Sequence, residues 1–248
     1  MEFVDVSYRY KGEPEDALLG FNLKLLPGTA VALLGSNGSG KSTVLGLGAG
    51  WLHATSGRVA CTGPVAFLPQ TERLAFSFTC IEYVSFGRAP HLPYLAVPSS
   101  ADRDKARAAL AEVGMGARSE RRITALSGGE LQLVRIARAL AQEAAYVLLD
   151  EPSDMLDPAH VATIGSAIRR LADSGAGVLF STHDIAFALA CADATAMMRS
   201  GRLGLVGPAA ATLNCDALGE LYGTPFGLQS LPVPLHGIVA GLPARPGI

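Results

Sequence analysis

Little in this chain suits it to a membrane interior, a disulfide scaffold or a polyanion surface. No apolar run approaches the ~20 residues that a helix needs to cross a bilayer. The four cysteines, Cys61, Cys80, Cys191 and Cys215, are far apart, with no C-x-x-C pair and no histidine at ligand spacing. That excludes the usual zinc and disulfide patterns and points to free thiols in a reducing compartment. Lysine and arginine together number 20 against 22 aspartates and glutamates, a formal net charge of −2. Without a basic excess or a long basic tract, no nucleic-acid partner is expected. The short run Arg118-Ser119-Glu120-Arg121-Arg122 reads as a solvated loop. No internal repeat is evident, and Met1-Glu2-Phe3 begins without a basic-then-apolar leader, so a cytosolic protein is expected. What remains is a chain of 248 residues, 49% hydrophobic, long enough to bury the core of one large or two small domains.

The densest information lies in Gly35-Ser36-Asn37-Gly38-Ser39-Gly40-Lys41-Ser42, followed by Thr43. It fits G-x-x-x-x-G-K-[ST] completely, the pattern of a phosphate-binding loop. Three glycines let successive backbone N–H groups turn inward and a phosphate approach the main chain. Lys41 adds a positive charge and Ser42 a hydroxyl for Mg²⁺. The flanks agree. Ala30-Val31-Ala32-Leu33-Leu34 is an apolar run of strand length, and residues 42–45 open a helix whose N-terminus faces the anion.

Residues 3–10 and 20–25 alternate apolar and polar side chains, which predicts a β-rich lead-in. Tyr8 and Tyr10 fall on one side of the first strand by period two, so either could present a ring. After the phosphate loop, a helix is predicted to run through Leu52, then a short excursion from Gly57, then a strand over residues 65–70 closing on Gln70. Gln70 at a strand end can meet a metal or water. Helical periodicity returns over residues 102–113, with Gly114 as its stop. A second cluster begins at Leu126-Ser127-Gly128-Gly129-Glu130, which opens a helix through about Gln142 and offers a second anion-facing helix end. Tyr146-Val147-Leu148-Leu149 then delivers Asp150 and Glu151 to the end of a buried parallel strand. One carboxylate there can hold hydrated Mg²⁺ and its neighbour can polarise a water. The apolar strand at residues 177–180 ends in Ser181-Thr182-His183-Asp184.

This ordered set, together with Ser153-Asp154-Met155-Leu156-Asp157, resembles the nucleotide-binding subunit of an ABC transporter, from about Met1 to about Gly223. The resemblance implies an α/β fold of the P-loop NTPase class. It would have a RecA-like core, an N-terminal antiparallel β subdomain, and a helical subdomain at about residues 72–142 that carries the signature segment. Residues 224–248 would be a Pro/Gly-rich tail. The family implies ATP as ligand, cradled by residues 35–43, with Tyr10 stacking on adenine. Mg²⁺ would be held by Ser42, Gln70 and Asp150, with Glu151 as catalytic base and His183 and Gln70 assisting. Leu126 to Glu130 would close over the nucleotide of a second copy of the chain, with Asp157 in the loop between the two sites. Partners would be that second copy, integral-membrane permease subunits and, indirectly, a substrate-binding protein, at the cytoplasmic face of the inner membrane. Glu130-Leu131-Gln132-Leu133 and Asp154-Met155 depart from the commonest family pattern.

Residues 82–92 and Leu221-Tyr222-Gly223-Thr224-Pro225 are similar to segments of importers of ferric siderophores, haem and cobalamin. The brief excursion from Gly57 to Gln70 instead resembles importers of molybdate or tungstate and, to a lesser degree, of zinc or manganese; a metal-chelate importer is the favoured expectation and an oxyanion importer the alternative. Residues 71–98 would form the groove for the permease. A soluble ABC ATPase for cluster assembly or DNA repair would share the phosphate chemistry, although no coiled-coil heptad run is present. A non-catalytic nucleotide sensor is disfavoured by Glu151 and His183.

Overall fold

The structure is a computed structural model and describes residues 1–72, 76–93 and 95–228. Most of the tail expected from residue 224 lies outside the described residues. In chain order the elements are β1 (Glu2–Tyr8), β2 (Leu18–Lys24), β3 (Ala30–Leu34), α1 (Lys41–Gly48), β4 (Ser56–Ala60), β5 (Val65–Leu68), α2 (Cys80–Ser85), α3 (Ser100–Glu112), α4 (Gly128–Ala141), β6 (Tyr146–Leu149), α5 (Pro158–Asp173), β7 (Gly177–Thr182), α6 (Ile185–Cys191), β8 (Ala194–Arg199), β9 (Arg202–Pro208), α7 (Ala209–Thr212) and α8 (Cys215–Tyr222). None of the described helices is long and apolar enough to cross a membrane.

Six strands form one sheet in the order β5-β6-β7-β3-β8-β9, parallel except for β9 at the edge. Its central strands are apolar without a break because both faces are covered. In β3, Ala30, Ala32 and Leu34 enter a core shared with α2, α3, α4 and α5, while Val31 and Leu33 enter a second core with α1 and the lead-in strands. The lead-in is a three-stranded antiparallel sheet with β1 between β2 and β4. Helices α2, α3 and α4 pack on one another between β5 and β6 in the chain, so a mostly helical stretch separates two β-containing portions.

One expected element end is different. Helix α1 stops at Gly48 rather than reaching Leu52. The chain folds back there, with the N–H groups of Trp51 and Leu52 donating to Gly46 O at 2.9 and 3.1 Å. Gly50 takes a φ of +73°, a left-handed conformation that glycine adopts without cost. Residues 118–122 form the solvated loop expected of them, with Arg118, Glu120, Arg121 and Arg122 exposed, and their main chain also seats the start of α2: Cys80 N and Ile81 N donate to Arg121 O and Ser119 O at 2.9 and 2.8 Å, and Arg122 donates to Ser77 O at 2.8 Å.

Candidate active site

A parallel sheet delivers all its strand ends to one edge, and loops leaving adjacent strands there meet. The four neighbours β5, β6, β7 and β3 end respectively before Gln70, before Asp150 and Glu151, before His183, and before the glycine-rich loop. Groups separated by more than a hundred positions in sequence are thereby brought side by side.

The glycine-rich loop is shaped by close backbone approach. A Cβ on Gly35 would lie 2.3 Å from Met198 O and 2.6 Å from Ser39 Oγ. One on Gly40, at φ +101°, would lie 2.7 Å from Ala17 O. Ser36, Asn37 and Gly38 are exposed and Ser39 is buried; Ser39 N donates to Ser36 O at 3.2 Å. Lys41, buried in the first turn of α1, donates through Nζ to Gly35 O at 2.8 Å and to Ser36 O at 3.1 Å. Its Nζ also stands 3.8 Å from Glu151 Oε1. Ser42 is exposed beside it, and the buried Thr43 shares a 3.1 Å hydrogen bond with the hydroxyl of Tyr10. Tyr10 lies beyond the end of β1 rather than in it, with its ring edge-on to Tyr8 at 4.9 Å between centroids. Of the two aromatics Tyr10 is the more open, 43% exposed and facing the first turn of α1.

The two carboxylates are organised by one hydroxyl. Ser181 Oγ donates to Asp150 Oδ1 at 2.6 Å and accepts the N–H of Glu151 at 2.8 Å. Asp150 is buried, and Glu151 is held at φ +46°, an uncommon conformation for a residue with a side chain. Glu151 Oε2 lies 3.0 Å from His183 Nδ1, and the His183 ring is otherwise open to solvent. Asp150, Ser42 and Gln70 supply hard oxygen donors, the chemistry Mg²⁺ selects. No group of three or more histidine, cysteine or acidic residues among the described residues forms a self-contained metal cage. A set with one carboxylate therefore fits an ion that takes its remaining ligands from phosphate and water.

The segment from Leu126 to Glu130 opens α4. Leu126 packs half-buried against the core, and Ser127 caps the helix by accepting Glu130 N at 3.2 Å. The Glu130 carboxylate reaches back to Ser127 N at 3.0 Å and pairs with Arg118. These contacts hold its carboxyl below the usual range, the bond from the Ser127 N–H contributing most. Gly128 is exposed, and a Cβ on Gly129 would meet the His160 ring at 3.2 Å. Asp157 caps α5 through Ala159 N and His160 N, and its Oδ2 bonds His160 Nδ1 at 2.5 Å. Among the described residues no hydrogen bond or ion pair joins residues 126–130 to residues 35–43.

No local pattern assigns a role to Ser181, Gln132, Arg135 or Glu72, because each of them bonds to a group on another strand, loop or helix; for Gln132 and Arg135 the one hint in the sequence is that they follow the signature glycines.

The profile described as ABC transporter matches residues 18–154 of the chain. The hemin import ATP-binding protein HmuV of Pseudomonas putida is 36% identical over 254 residues, covering 95% of this chain and 98% of that protein. Its counterpart in Gloeobacter violaceus is 38% identical over 230 residues, covering 85% and 82%. Among solved structures, an inward-facing conformation of a metal-chelate type ABC transporter matches with a TM-score of 0.83 at 31% identity, over 90% of this chain and 89% of that one. The dimeric structure of a bacterial ABC transporter cassette matches with a TM-score of 0.74 at 25% identity, over 84% and 98%.

Proposed function

The chain belongs to the ABC transporter family, and we propose that it is the ATP-binding and ATP-hydrolysing subunit of an importer for a chelated metal. The cargo would be of ferric siderophore, haem or cobalamin type, carried through a separate membrane permease. The observation that carries this reading is the near full-length match to a hemin import ATP-binding protein, 95% of this chain against 98% of the relative. Those names favour the chelate branch over molybdate or tungstate, which is the second reading.

The residues at the strand ends divide the work. Residues 35–43 cradle the phosphates of ATP, Lys41 compensates their charge and Tyr10 offers its ring to the base. Glu151 accepts the proton of the attacking water. His183, 3.0 Å from Glu151, orients that carboxylate and reaches toward the terminal phosphate. Ser42, Asp150 and Gln70 would hold Mg²⁺, which would supply positive charge against the phosphates. Two copies associate head to tail, each supplying residues 126–130 to the other's nucleotide and Asp157 to the loop between the sites. Closure excludes water and fixes hydrogen-bond donors on the phosphoryl group, and hydrolysis reopens the pair. The assembly sits peripherally on the cytoplasmic face of the inner membrane, fed by a substrate-binding protein. Residues 1–223 form the ATPase, with the helical insertion over about residues 72–142, and residues 71–98 form the groove for the permease.

The test is ATPase activity of the chain co-purified with its permease, with and without candidate cargo-loaded binding proteins. Stimulation by a haem- or siderophore-loaded protein is expected. Stimulation by an oxyanion-loaded protein instead would select the second reading, and full activity with no permease bound would move the chain to the soluble class. Glu151→Gln is expected to keep ATP binding and lose about 10²- to 10⁴-fold in turnover; wild-type turnover would remove Glu151 as base.

A further inference from the structure

Leu131 and Leu133 follow the signature glycines without a cation, yet helix α4 delivers one two positions later. Arg135 is only 7% exposed and points back at the strand ends. One arm of its guanidinium donates to Pro69 O. The other donates to Gln132 Oε1 at 2.8 Å and lies 3.4 Å from Gln70 O. Gln132 then uses its own amide N–H to hold Pro152 O at 3.0 Å, immediately after Glu151. Behind Arg135, its Nε stands 3.5 Å from Glu72 Oε2. Glu72 also accepts from Tyr83 Oη at 2.6 Å and from Arg138 at 2.7 Å. Burial alone would raise the Glu72 carboxyl, but the bonds from Arg138 and Tyr83 outweigh it and keep the group below its ordinary range.

One side-chain pair on α4 therefore grips two loops at once, the one bearing Gln70 and the one bearing Glu151. We propose that Arg135, with Gln132, is a positioning element for hydrolysis that ties Gln70 and Glu151 to the signature helix, so that the two groups move together when residues 126–130 engage a nucleotide. A planar fork suits this task because it serves carbonyls and an amide oxygen in one plane, which an ammonium cannot do. The proposal rests on the reading of Glu151 as base.

The experiment compares Arg135→Met, Arg135→Lys, Gln132→Leu and the Arg135→Met/Gln132→Leu double variant with the wild type, each as the full-length chain co-purified with its permease. It measures kcat and KM for ATP, equilibrium binding of a fluorescent ATP analogue, and thermal melting. Arg135→Met is expected to lose roughly ten- to hundredfold in kcat, with KM and analogue binding within about twofold. Gln132→Leu should lose less in the same direction without a change in melting temperature. Arg135→Lys should recover part of the loss, and the double variant should be no worse than Arg135→Met, as expected for residues acting in series. A folded Arg135→Met chain with wild-type kcat, a loss carried by KM, or losses that multiply in the double variant would overturn the proposal. If Arg135→Met does not fold, Arg135→Lys and Gln132→Leu decide, and wild-type kcat in both overturns it. A wild-type permease complex without ATPase activity, or a Glu151→Gln complex as active as the wild type, would instead overturn the underlying functional reading.

Discussion

Ser181 holds two acidic neighbours in different states of engagement. Its hydroxyl occupies one oxygen of Asp150 and fixes the backbone of Glu151 in a left-handed turn. Removing it leaves a buried carboxylate oxygen and a backbone N–H without their partner, at a cost of about 1–3 kcal/mol. Ser181→Ala is therefore expected to melt at lower temperature and to lose turnover more than ATP affinity, as read by thermal unfolding and steady-state kinetics. An unchanged kcat would mean that Glu151 is positioned by other contacts. Lys41, Asp150, Glu151 and His183 draw notice in the sequence because each sits in a run whose spacing has a chemical meaning. Ser181 stands in such a run too, but its task depends on β7 lying beside β6, a spatial fact that no local pattern encodes. The same holds for Arg135, whose partners lie 65 and 66 positions away.

Helices α2, α3 and α4 share one starting device, a capping box of Thr79 with Glu82, Ser99 with Asp102 and Ser127 with Glu130. In α3 the Ser99 hydroxyl, the Ser99 N–H and then the Arg88 guanidinium stabilise the charged Asp102, lowering its carboxyl from 3.8 to about 2. A carboxyl lowered on folding adds stability above its unfolded value, and that stability is lost as pH falls through the folded value. The melting-temperature gap between wild type and Asp102→Ala should thus be constant above about pH 4 and shrink toward pH 2, followed by circular dichroism. A gap that does not vary with pH would mean the carboxylate charge contributes nothing. Serine or threonine three residues before an acid is a pattern visible in any sequence, whereas Arg88, delivered by the turn at Phe86–His91, is not. The misjudged end of α1 has a similar origin. Periodicity continues through Leu52, but three glycines at 46, 48 and 50 let the chain fold back over its own last turn.

At the scale of the molecule, the parallel core is legible because apolar strands ending in chemistry-bearing residues admit few arrangements. The order of those strands, with β3 between β7 and β8 and β9 at the edge, is set by pairing across the whole chain. With no hydrogen bond or ion pair joining residues 126–130 to residues 35–43 among the described residues of one copy, the head-to-tail pair proposed above makes assembly a condition of activity. Glu151→Gln in ATP is expected to elute from size exclusion at twice its apparent mass without ATP; a single monomer-sized peak under both conditions would remove the head-to-tail pair. That pairing also has a consequence for inheritance. A cell expressing equal amounts of wild-type chain and a Ser127→Arg chain would hold only about a quarter of its pairs free of the defect. A damaged signature allele would therefore be semi-dominant, lowering uptake below what the dose of intact gene predicts.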